Sequence, residues 1–248
     1  MFRTFAPQSV LSLHKRYVST SFPPSSLRFA LLVMWAAWAM ALSPLSAVGQ
    51  FAGGAGTVED PWRIETLDQL QAMKDHLDGH FVLENAIDAS ATADWNDGAG
   101  FEPIGVNWDH PFKGSLDGQG HVITGLTIHR PEKSFVGLFG VLGFGSRTRN
   151  LGLSGGAVTG YYYVGHLAGE NSRGEVSACF ATGAVTGDYF SGGLVGFNNG
   201  LLWDCYATGA VTARGAVGGL LGYHAGDAVW ACYATGPATG TYSVGGLV

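Results

Sequence analysis

Beyond residue 50 the apolar positions fall into stretches of only four to seven residues, each broken by Gly, Asn, Asp or Thr. Short apolar stretches between turn residues read as strands, about three to each repeat, and leave no room for a crossover helix. One segment departs from this pattern. Leu67, Leu70, Met73 and Leu77 recur at helical spacing behind Thr66-Leu-Asp-Gln69, a capping box, and Gly79 follows as a stop. The spacing predicts an amphipathic helix over 67–77 that covers the open edge of the first coil, because an unpaired edge recruits other chains.

The strands repeat. Cys179-Phe-Ala-Thr-Gly-Ala-Val185, Cys205-Tyr-Ala-Thr-Gly-Ala-Val211 and Cys232-Tyr-Ala-Thr-Gly-Pro-Ala238 nearly superimpose, and each is followed by a glycine doublet: Gly192-Gly-Leu-Val-Gly196, Gly218-Gly-Leu-Leu-Gly222 and Gly245-Gly-Leu-Val248. Weaker copies begin at Val136 and Val164, with His166 in place of the second glycine. A period of this length built from short strands predicts an all-β parallel β-helix, expected to be right-handed, whose coils stack about 4.8 Å apart with equivalent side chains in ladders. The division expected is a leader with the capping helix over 48–150 and repeats over 151–248. The last copy stops inside its doublet, so the C-terminal coil is expected to be open and to favour self-association.

Together these motifs resemble the GLUG-motif family of bacterial secreted and surface proteins. Upstream pieces strengthen the resemblance: Gly54-Ala-Gly-Thr57 with Asp60-Pro-Trp, Ile87-Asp-Ala-Ser90, Gly100-Phe-Glu-Pro-Ile-Gly105 and the run from Phe112 to Leu126. It implies a part of a large adhesin or haemagglutinin-like exoprotein, in some cases beside a secreted immunoglobulin-cleaving metalloprotease, and it supplies no catalytic residues.

Composition fits. The 39 glycines all lie beyond residue 47, as tight turns require, and charged residues are only 13% of the chain. The first 47 residues hold Arg3, Lys15, Arg16 and Arg28 but no acid, and Phe29 to Leu42 is an uncharged apolar run ahead of Ser46 and Ala47. That is the pattern of a secretory signal peptide cut after Ala47, too short to span a bilayer. The expected location is therefore secreted or at a bacterial cell surface. The remainder carries nine basic and nineteen acidic residues, a balance that argues against nucleic acid as a partner.

Candidate chemistry is sparse. His76 and His80 have the spacing of a zinc-peptidase helix, but Leu77 stands where the general-base glutamate belongs and Gly79 breaks the helix. Asp94-Trp-Asn-Asp-Gly98 lacks the ligand spacing of a calcium loop and reads as an Asx turn, and Asp117-Gly-Gln-Gly120 reads as a tight turn. The stacked cysteines show no Cys-x-x-Cys and read as buried free thiols. A polysaccharide-cleaving β-helix would need clustered acidic and basic groups, yet between residues 151 and 248 the only cations of Lys or Arg type are Arg173 and Arg214. No metal, cofactor or catalytic role is expected. The remaining candidate is a stripe of aromatic residues, Tyr161, Tyr162, Tyr163, Tyr189 and Phe190, able to meet a host or neighbouring-cell protein or glycan.

Overall fold

The computed structural model describes residues 49–226 and 228–248, so the signal-peptide reading lies outside the described residues. It is a parallel β-solenoid, as expected, but a full coil has five short strands and not three. One coil, for example, runs Glu175–Ser177, Phe180–Ala181, Ala184–Thr186, Tyr189–Gly192 and Val195–Asn198.

Equivalent strands of successive coils pair in parallel to make five faces. Face one has seven strands, from Trp62–Ile64 to Val229–Trp230; face two has six, from Ile87–Asp88 to Tyr233–Ala234. Face three has five, from Thr127–His129 to Ala238–Thr239. Face four carries Tyr162–Gly165, Tyr189–Gly192, Gly215–Gly218 and Tyr242–Gly245, and face five runs from Phe139–Leu142 to Leu221–His224. Face one continues unbroken through residue 150, so leader and repeats share one core.

With strands of two to four residues, a single inward side chain per strand does most of the packing. On face one Phe81, Leu116, Thr148, Val176, Leu202 and Val229 pair in sequence; on face two the ladder is Ile87, Ile123, Leu153, Ala181, Ala207 and Ala234. Burying each large member contributes roughly 1.5–3 kcal/mol.

Corners explain the strand count. Asn150, Ala178, Asp204 and Ala231 occupy equivalent corners between faces one and two with φ of 53, 49, 53 and 52°. Left-handed turns held by such residues carry no glycine signal, so two strands and a corner look like one apolar stretch. The glycine doublets make the corner between faces four and five. A Cβ on Gly192 would lie 2.2 Å from the Val195 carbonyl oxygen, and one on Gly218 would lie 1.9 Å from that of Leu221. Only glycine fits so close an approach.

A buried amide ladder crosses face five. Asn171 Nδ2 donates to Asn198 Oδ1 at 2.8 Å, and Asn198 Nδ2 meets His224 Nδ1 at 3.1 Å. Asn171 also bonds both backbone groups of Gly174, which satisfies a corner that would otherwise be orphaned inside the protein.

At the N-terminal end the helix is shorter than expected. It is α-helical over Leu67–Ala72 and 3-10 over Met73–Asp75, with the Thr66 and Gln69 capping box formed. His76 leaves helical geometry at φ −137°, so the helix ends before Leu77 and Gly79. Leu70 and Met73 plug into the core. The edge of the first strand is bonded instead by the preceding segment, through Ala52 N to Arg63 O and Arg63 N to Gly53 O. At the other end Val244 and Leu247, in inward ladder positions, are 46% and 36% exposed.

Candidate functional site

The five aromatic residues of the stripe lie together, yet only Tyr161 is exposed, at 40%; the others are half-buried against one another. They form two ladders at adjacent outward positions of face four. In the first, Tyr162 and Tyr189 pair in register and stack at 5.4 Å with ring planes 10° apart. Tyr161 meets Tyr162 edge-on at 4.3 Å. The next position in that register is Gly215, and the Arg214 guanidinium fills the gap, 4.9 Å above the Tyr189 ring and held by Asp188 at 2.8 Å.

The second ladder contains a residue that the sequence stripe omitted. Phe135, Tyr163 and Phe190 stack at 5.0 and 5.2 Å with planes 5° and 8° apart. All three have a left-handed backbone, with φ of 60, 58 and 54°. Bulky residues seldom adopt this conformation, which costs on the order of 1 kcal/mol or more each. Here it turns each ring outward, and the residues that follow, Val136, Val164 and Ser191, return inward to the core.

Three more rings flank this ladder. Phe197 and Tyr223, at paired positions of face five, stack at 5.4 Å and stand nearly perpendicular to Phe190, at 6.2 and 5.7 Å. Trp108, 61% exposed on a loop of the leader, packs edge-on against Phe135 at 5.0 Å. Its indole Nε1 donates to Glu170 Oε2 at 2.9 Å. Glu170 is 5% exposed, and burial raises its carboxyl above the usual carboxylate range, with the Trp108 bond pulling the other way. Burial also pushes the Tyr163 phenol up, reinforced by the nearby Glu170 charge.

Phe135, Tyr163 and Phe190 follow the repeat spacing, as do Phe197 and Tyr223, so the period could have found them. Glu170 holds the same register as Phe197 and Tyr223 but is not aromatic, and Trp108 belongs to no repeat and joins the belt only through the fold.

The other candidates disperse. His76 Nε2 meets Gln50 Oε1 at 3.1 Å, whereas His80 Nδ1 meets Ser115 Oγ at 2.8 Å. Among the described residues no group of His, Cys, Asp or Glu is arranged to hold a metal ion. Asn96 and Asp97 sit in a left-handed kink, and Asn96 bonds the Gly100 carbonyl at 2.7 Å. Asp117 holds its tight turn, accepting from Gln119 N at 2.9 Å, and also pairs with Arg149 and Asn150. These partners hold its carboxyl below the usual range although burial opposes them. Cys179, Cys205 and Cys232 are free, and each thiol points to the carbonyl two residues earlier at 3.2 Å.

No family model matches the chain. Over 126 residues it is 43% identical to Halomucin of Haloquadratum walsbyi, a match covering 48% of this chain and 1% of that protein. It is equally similar, at 43% over 126 residues, to a "Putative Gly-rich membrane protein" of Evansella cellulosilytica, covering 49% of this chain and 14% of that one. The chain thus spans a small part of either relative. Among solved structures it superimposes with a TM-score of 0.68 on a "putative immunoglobulin A1 protease" from Bacteroides ovatus, at 24% identity, over 82% of this chain and 65% of that one. That likeness is one of fold.

Proposed function

We propose that this chain is an exported bacterial surface or secreted solenoid of the GLUG-repeat type, part of a larger exoprotein, whose role is adhesive and structural and not catalytic. The observation that carries the reading is the aromatic belt. Two ladders and their flanking rings gather on one side of a rigid stack, and large partly exposed aromatic surfaces mark binding sites. The relatives' names, a mucin-like one and a membrane protein, support a location at the cell surface. The basic, then apolar N-terminus supports export.

A second reading is favoured by the fold neighbour's name: the chain would be the non-catalytic repeat region of a secreted protease. Both readings place it outside the cell. Protease shaving of intact producing cells, followed by detection with an antibody to the repeats, tests this. Surface-digested protein whose mature N-terminus lies near Val48 supports the proposal; a protease-resistant cytoplasmic pool that begins at Met1 overturns it. Coupling the chain to an inert bead and measuring cell attachment tests adhesion, which should fall when Tyr163 and Phe190 are both replaced by alanine.

A further inference from the structure

The two ladders of face four end differently. The Tyr162–Tyr189 ladder is interrupted at Gly215, and the protein covers the exposed ring with its own Arg214. The Phe135–Tyr163–Phe190 ladder is interrupted at the next two positions, Ala216 and Ser243, which keep the same left-handed backbone with φ of 49°. Among the described residues no ring stacks in parallel on Phe190 from that side, where Tyr223 stands edge-on, and no cation caps it. Instead there is an open depression lined by Phe190, Ala216, Gly222, Tyr223 and Ser243 and continuing onto Val244, Gly245 and Val248 of the last described coil. It is the place a further ring of the ladder would occupy.

We infer that this notch is a subsite for one sugar residue of a neutral polysaccharide, an assignment that rests on the extracellular reading above. A hexose has apolar C–H faces and a hydroxyl edge. The Phe190 ring and the Ala216 methyl group match the first, and the hydroxyls of Tyr223 and Ser243 match the second. No charged residue is among those lining the notch, so nothing there would compensate the desolvation of a charged sugar. The acidic excess of the chain repels anionic polymers as well. The half-buried rings on the N-terminal side extend the same surface along the coil axis, so neighbouring sugars of one polymer can follow the belt.

Ala216→Phe supplies the missing ring. Since three aromatic residues already occupy that register in the same backbone conformation, the variant should fold and continue the stack while filling the notch. The test is native gel electrophoresis in gels containing dextran, mannan or mixed-linkage β-glucan, with alginate as the charged comparator. The wild-type chain should be retarded by at least one neutral polymer and not by alginate. A216F and F190A should each weaken that retardation about tenfold, the scale of one lost stacking contact, and F190A serves alone if A216F fails to fold. The assignment is overturned if no neutral polymer retards the wild type, if alginate does so equally, if an aromatic peptide is retained where glycans are not, or if the folded variants bind like the wild type. Cell shaving is a separate measurement: a surface-exposed chain that ignores every neutral polymer overturns the glycan subsite alone.

Discussion

His166 should make the solenoid lose stability as the medium becomes acidic. It stands where the later doublets have Gly193 and Gly219, its ring is wholly buried, and neither ring nitrogen has a hydrogen-bond partner among the described residues. Room for the ring comes from Gly183, where a Cβ would lie 1.9 Å from His166 Cε1. Burial lowers its pKa from 6.5 to about 4, and contact with the Gly183 backbone, outside hydrogen-bond geometry, offsets this only in part. Between these values the unfolded chain takes up a proton that the native ring refuses. Stability is therefore unpenalised above pH 6.5 and falls as pH drops toward 4, by roughly 3 kcal/mol over that span at about 1.36 kcal/mol per pH unit. Glu170, whose carboxyl is raised by burial, acts in the opposite sense, so the comparison must be between variants. His166→Gly restores the residue of the other coils. It should cost about 2–4 kcal/mol at pH 7.5 through the volume removed, but its urea midpoint should fall less between pH 7 and pH 4.5 than that of the wild type. Equal slopes for the two proteins would refute the reasoning, since the protonation penalty would then lie elsewhere.

Asn198→Leu should lower stability by about 1–3 kcal/mol in chemical denaturation, because it strands the Asn171 amide and His224 inside face five; a neutral effect would mean the amide ladder is dispensable. Burial and the thiol ladder hold Cys205 and Cys232 well above the ordinary thiol range, so iodoacetamide at pH 8 should spare the buried Cys205 until urea unfolds the chain, and mass spectrometry should find the half-exposed Cys232 modified first if any is.

The repeat spacing alone determined much of this protein. A parallel ladder places each residue above its equivalent one coil away, so the period of the cysteines, the doublet leucines and the aromatic residues translates directly into stacking in space. The capping box was equally legible, since it depends on contacts three residues apart. Tertiary structure decided the rest. Five strands per coil depend on left-handed corners at Asn150, Ala178, Asp204 and Ala231, residues with no consistent turn signature. The helix stops at Asp75, where His76 leaves helical geometry, although the periodicity runs on to Leu77 and Leu77 still packs against the core. The belt gains Trp108 and Glu170 from segments 62 residues apart, brought together by the pairing of distant coils. The notch beside Phe190 exists for the same reason: Ala216 and Ser243 carry no signal in a sequence, and open a notch only because a column of rings ends directly above them.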